Sequence, residues 1–218
     1  FVPEELLEEI KKRIIPKEAQ GEIKRIYPDE PKEINESFKE VNLSIAMPMF
    51  MIGFKDNDVG FGGKKLQKKA IETDILIKML FSKSSALYEK LYNKGLITPS
   101  FSADFNPQIS YGYTAIEGES KNPKEVYDEI VCHIEELQKT GLGKEDFERA
   151  KKEVWGKYIR SYNDIENFAH SFLTDSFMDI NYFDYYDSYK EITFEDVCER
   201  FRKHFVKEYS VLSVVNPV

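Results

Sequence analysis

The chain carries few groups suited to covalent or metal chemistry: three His, two Cys and a large set of carboxylates. The nearest approach to a metal motif is His133-Ile134-Glu135-Glu136-Leu137. A zinc hydrolase site of the form H-x-x-E-H needs two His four residues apart, which turns both imidazoles to one face of a helix. It also needs a Glu to take a proton from the bound water. Here Leu137 stands where the second ligand belongs, and His170 and His204 lie apart from any cluster. The expectation is therefore no catalytic residue, no metal ligand and no cofactor held by this chain.

Nucleophilic and phosphate chemistry fare no better. G-x-S-x-G is absent, and neither Cys132 nor Cys198 has a His near it in sequence. Gly60-Phe61-Gly62-Gly63-Lys64 precedes a helix but matches neither G-x-x-x-x-G-K-[ST] nor G-x-G-x-x-G. Asp56 and Asp58 in the same loop suggest a calcium loop, yet the Gly falls at the wrong offset and Gln67 occupies the place of the bidentate Glu. Both patterns read as a solvated turn.

Composition bounds the rest. A chain of 218 residues with 41% hydrophobic and 14% aromatic content can bury one full core without a disulfide or metal. Its 31 basic against 39 acidic residues, net charge −8, argue against nucleic acid or an anionic membrane surface as a partner. The longest apolar run, Ala46 to Phe54, is broken by Pro48 and is far shorter than a membrane span. Cys132 and Cys198 fall in predicted helices among apolar neighbours, which predicts buried thiols and a reducing compartment. The opening FVPEELLEEIKKRI is acidic and amphipathic, unlike a signal peptide, so the expected location is cytoplasmic.

Periodicity supplies the elements that must position any site. Phe1 to Ile15 reads as a helix, and Pro16 to Glu40 as a linker with a short strand at Glu22 to Tyr27. Val41, Leu43 and Ile45 alternate as a strand, and MFMIGFK, Met49 to Lys55, is apolar enough to predict a strand covered on both faces. Lys64 to Phe81 has a helical apolar period. In Ser84 to Ser120, a helix carrying Leu87, Tyr88 and Leu91 ends at Gly95, and two alternating runs joined at Asn106-Pro107-Gln108 form a hairpin. Helices follow from Asn122, with Val126, Ile130, Ile134 and Leu137 as a stripe, from Lys144, from Phe168 and from a Thr193–Asp196 capping signal, before a closing strand at Tyr209 to Val215. Between them, NYFDYYDSY at Asn181 to Tyr189 alternates rings with carboxylates; helix-turn packing is the simpler reading, a surface for basic or extended peptides the sharper. Strands in adjacent pairs predict an α+β fold: a mainly antiparallel sheet with helices packed on one face.

The form S-x-L-[YF]-x-x-L-x-x-x-G-L, then a hairpin, then Gly and a long helix, resembles the non-catalytic half of the zinc peptidases of the pitrilysin, insulinase and mitochondrial-processing-peptidase group, the inverzincins. The resemblance runs over nearly the whole chain, through a FERAKKEV-type helix to the terminal strand. It implies one half-shell of a duplicated α+β unit: residues 1–15 closing the preceding half, 16–40 a linker and 41–218 the C-terminal-type domain. The implied function is the substrate-chamber half of a zinc-dependent endopeptidase acting on unfolded peptides. Zinc and the Glu base would come from an N-terminal catalytic half or a homologous subunit, since the counterpart of the metal helix, Lys64 to Phe81, contains no His.

In that family an Arg and a Tyr grip substrate backbone near the short helix and the strand after it. By position the resemblance implies substrate binding by Tyr92, Thr98, Ser100 and Phe101. Tyr92 stands where Arg is usual and Ile97 to Ser100 contains no Tyr, a departure that suggests a divergent bacterial branch. Two other readings fit the same residues: an inactive assembly subunit, and an α+β interaction module with no peptidase parent.

Overall fold

A computed structural model describes residues 2–14 and 30–218; the strand expected at Glu22 to Tyr27 lies outside them. Helix α1 (Pro3–Arg13) begins with Pro in its first turn, has Glu4 and Glu5 at its positive end and Lys11 to Arg13 at its negative end, and buries none of its residues. Strands β1 (Phe38–Leu43) and β2 (Met49–Lys55) follow, with Pro48 in the turn before β2; β1 starts inside the stretch read as linker. Then come α2 (Gly63–Phe81), α3 (Ala86–Asn93) and the hairpin β3 (Ser102–Pro107) and β4 (Gly112–Glu119). Helices α4 (Pro123–Thr140), α5 (Lys144–Ser161), α6 (Ile165–Phe177), α7 (Tyr185–Glu191) and α8 (Phe194–His204) lead to β5 (Ser210–Pro217).

The sheet order is β1-β5-β2-β4-β3, antiparallel except for the parallel pair β1 and β5. This is the expected α+β architecture, with one difference in pairing. The chain neighbours β1 and β2 do not pair with each other, because the last strand enters between them. β5 is apolar on its inner face, with Leu212 and Val214 buried, and gains more by lying at the centre than at an edge.

Local chemistry sets the element ends. Ser85 caps α3 by accepting from the Tyr88 amide, and Gly95, at φ +68, ends it in the left-handed region that costs other residues energy. Thr193 and Asp196 form the expected capping box at α8. Asn122 precedes α4 but caps nothing with its oxygen; its amide donates to Glu125 instead. The hairpin turns through Gln108 to Tyr111, with Gln108 N donating to Tyr111 O, one residue later than Asn106-Pro107-Gln108 suggests.

One core lies between the sheet and the helices. Phe50, Ile52 and Phe54 of β2, Ile116 of β4 and Leu212 and Val214 of β5 face Ile71, Ile75 and Leu76 of α2, Val126 and Ile130 of α4, and Val197 and Phe201 of α8. Phe54 meets Phe205 edge to face at 5.1 Å between ring centres. On the same side Gly118 leaves room for the Phe50 ring, since a Cβ there would sit 3.2 Å from Phe50 Cζ and 3.3 Å from Phe101 Cα. The aromatic run after α6 is helix-turn packing: Tyr185 stacks on Tyr158 at 3.7 Å, and Trp155 lies against Tyr158, Tyr186 and Tyr189.

Two expectations are corrected. β2 is covered on one face only: Phe50, Ile52 and Phe54 are buried, while Met49 and Met51 are 47% and 46% exposed. The thiols are not buried either; Cys132 is exposed on α4 and Cys198 partly exposed on α8, because each falls beside its helix's apolar stripe and not on it.

Candidate functional site

Side chains alternate across a strand, so the register of β2 with its neighbours fixes what the outer face displays. Met49 lies between Val215 and Glu119, Met51 between Ser213 and Glu117, Gly53 between Val211 and Ala115, and Lys55 beside Tyr113. The helices pack on the opposite face. A cleft of ≈ 420 Å³ opens here, lined by Met49, Met51, Ser100, Glu117, Glu119 and Val215 among others. Apolar thioether and valyl surface beside two carboxylates can hold an extended chain with mixed side chains, and does not by itself break a bond.

Thr98 and Ser100 sit at one end of this face. Their hydroxyls are 2.7 Å apart, and Thr98 Oγ1 donates to Glu119 Oε2 at 3.4 Å. Tyr92 is exposed on α3, stacked at 5.9 Å on Tyr88, and does not line the cleft. Phe101 is buried, packed between Phe50 and Tyr88, so its ring serves the core and offers a peptide no surface. The structure thus joins Thr98 and Ser100 to the open face and leaves Tyr92 and Phe101 off it.

Sequence reasoning missed a buried polar network at the inner end of β2. Asp56, read as part of a solvated turn, is 3% exposed. Arg200 of α8 grips it with both terminal nitrogens, at 2.9 and 3.0 Å, and its Nε donates to Thr73 of α2 at 2.9 Å. Lys69 Nζ reaches Asp56 Oδ2 at 2.9 Å, and Thr114 of β4 bonds His204 Nε2 at 2.6 Å. Burial pushes the Asp56 carboxyl up, but Arg200 above all, with smaller help from His204 and Lys69, outweighs it and holds the pKa at about 2. Burial, reinforced by Arg200, lowers the His204 imidazole to about 3, and its Nδ1 has no hydrogen-bond partner, 3.8 Å from Asp56 Oδ1. The network ties the sheet to two helices. Its trace in the sequence is the placement of Arg200 and His204 three and seven residues after Val197, on the apolar stripe of α8.

Among the described residues no zinc donor set is assembled. His133, His170 and His204 lie on three different helices, and among the described residues no three His, Cys, Asp or Glu come together as a metal site. The buried His204 Nδ1, without a hydrogen-bond partner, lies 3.8 Å from Asp56, whose charge Arg200 and Lys69 already outweigh, so the spot would repel a cation. Among the described residues no helix is long and apolar enough to cross a membrane.

The family model for the peptidase M16 inactive domain matches residues 2–154. This chain belongs to that family. The M16 inactive domain here is 32% identical over 178 residues to the uncharacterized zinc protease YmfH of Bacillus subtilis strain 168, covering 82% of this chain and 41% of that protein. It therefore spans about two fifths of the curated relative. An M16-like peptidase from Alicyclobacillus acidocaldarius superposes with a TM-score of 0.87 at 25% identity, over all of this chain and 52% of the other. Pitrilysin superposes at 0.56 and 15% identity, over 82% of this chain and 20% of its own, a likeness of fold.

Proposed function

We propose that this M16 inactive domain forms one wall of a chamber in which a zinc endopeptidase cleaves unfolded peptides. The single observation that carries the reading is the outer face of the sheet, where Met49, Met51 and Val215 stand exposed or half-exposed beside Glu117 and Glu119 with no helix packed on them among the described residues. An apolar strip of this kind on a lone domain invites cover, and an extended peptide or the inner wall of the other half supplies it. The contribution is confinement and orientation: the wall holds the chain beside a metal that the other half carries. Thr98 and Ser100 bind at the rim of this face.

The test joins the domain to the M16 half that bears H-x-x-E-H and follows a quenched unfolded peptide with and without chelator. Cleavage that needs both halves is expected, and Met51→Lys should raise KM severalfold with little change in kcat. Assembly without cleavage would instead make this an assembly subunit. Cleavage at full rate by the other half alone would refute the chamber wall.

A further inference from the structure

The sheet has a second unsatisfied feature, at its far edge. Asp56 N donates to Gly112 O at 2.8 Å, which makes that pair a hydrogen-bonded one in the β2–β4 ladder. In an antiparallel ladder such pairs alternate, so residues 112, 114, 116 and 118 of β4 bond to β2, and 113, 115 and 117 bond to β3. Their partners on β3 are Asn106, Asp104 and Ser102. The amide and carbonyl groups of Ala103 and Phe105 consequently point away from the sheet, and among the described residues nothing hydrogen-bonds to them.

Three of the clefts in this molecule follow that edge. One of ≈ 450 Å³ runs past Phe101 to Asp104 against α2 and Ser82 to Ser84. The next, ≈ 370 Å³, separates Ala103 and Asp104 from α5 and from Asn167, Ser171 and Asp175, one face of α6. The third, ≈ 370 Å³, lies between the hairpin tip at Ile109 and the end of α6 at Phe177. Helix α6 has no buried residue, so it stands beside β3 without closing on it.

The middle cleft is net negative, with three carboxylates lining it against two lysines, Lys78 and Lys157. Asp74, Asp104 and Asp175 line it, and none has an ion-pair or hydrogen-bond partner for its carboxylate among the described residues. Partial burial raises Asp175 to about 6, while Asp74 and Asp104 are exposed to the cleft, with Lys157 the nearest counter-charge to Asp74. Lys78, which also lines the cleft, is engaged with Glu153 at 2.8 Å.

We infer that the free edge of β3 and the slot beneath α6 take an extended peptide segment as an added sixth strand, with a Lys or Arg side chain set among Asp74, Asp104 and Asp175. Main-chain pairing to Ala103 and Phe105 supplies affinity for any extended sequence, and the carboxylates supply the preference for a basic one. The site is separate from the open face, being on the edge and helix side of the sheet, and it rests on the reading that this domain handles unfolded peptides.

The experiment uses the chain alone and a fluorescein-labelled, Arg-containing unfolded peptide of roughly six to ten residues, with a Glu-for-Arg version beside it. Anisotropy should show the Arg peptide binding at least tenfold more tightly, and amide exchange should show new protection at Ala103 and Phe105 on binding. Ala103→Pro removes an outward amide without touching the β3–β4 ladder, and edge strands tolerate Pro there, so it should weaken binding at least tenfold in a chain that still unfolds cooperatively. Should that variant fail to fold, Asp74→Asn with Asp104→Asn should abolish the preference for Arg over Glu. Absence of binding, or binding that protects only β2 and β5 and is lost in Met51→Lys, would overturn the edge site while leaving the chamber wall standing. Protection that rises with protein concentration and not with peptide would assign the edge to a second copy, and would also overturn it.

Discussion

The two faces of β2 are made of similar residues and have different fates. Phe50, Ile52 and Phe54 lie in a closed core, while Met49 and Met51, one residue out of phase, stand half-open beside glutamates. The inner face is rigid and aromatic, with edge-to-face rings and no room for a Cβ at Gly118. The outer face uses flexible thioethers and a Gly53 with nothing within 4 Å of its missing Cβ. Apolar surface that a domain builds but does not cover is surface held for something else. Under the proposed function, that something is the peptide or the other half of the peptidase.

Substitutions on the two sides should break this contrast unequally. Phe54→Ala empties a fully buried ring site and should cost about 3–5 kcal/mol in urea unfolding, enough to erase most of a domain's stability. A loss under 1 kcal/mol would mean that the inner face is not the core. Arg200→Met strips the grip from buried Asp56 and should cost a similar ~3–5 kcal/mol, because a carboxylate held at low pKa keeps only Lys69 as counter-charge. Since Arg200 joins α8 to β2 and α2, its loss should also speed amide exchange in all three elements.

Acid should probe the inner side next. The pKa of His204 is about 3 in the fold against 6.5 for the free side chain, so the unfolded chain binds the extra proton between those values. The contribution is complete above pH 6.5 and is lost as pH falls toward 3, by roughly 2–4 kcal/mol between pH 7 and 4. Asp56 adds a further loss only as pH falls below about 3.8 toward 2. Glu72, raised by burial to about 7, acts oppositely, because its destabilising charge is removed as pH falls from 7 to 4.5. The difference between wild type and His204→Gln isolates the imidazole; parallel pH curves for the two would show that His204 is not held neutral.

The smallest stability effect is expected outside. Met51→Lys on the open face should change unfolding by less than about 0.5 kcal/mol while weakening peptide cleavage in the two-half enzyme. A large loss of stability in the isolated chain would show that the outer face already has a cover within this domain.

Much of the architecture was legible from residue order. The capping box at Thr193, the Gly95 stop, the stripe Val126, Ile130 and Ile134, and the absence of His from α2 are local or periodic facts, and local facts survive into the fold. The candidate site was legible in part. Thr98 and Ser100 reached the open face, but Phe101 did not, because one residue along an extended stretch exchanges the solvent side for the core.

What the amino-acid order determined alone is the set of elements and their apolar faces, since helical and strand periods follow from backbone geometry. Tertiary structure decided the rest. It placed β5 between β1 and β2, left the methionine face of β2 and the edge of β3 uncovered by any of the described residues, and drew Asp56, Lys69, Arg200 and His204 into one buried cluster. Those outcomes depend on contacts between residues as far as 144 positions apart, and no local pattern encodes which strand will arrive as neighbour or which charge will meet its partner in the dry interior.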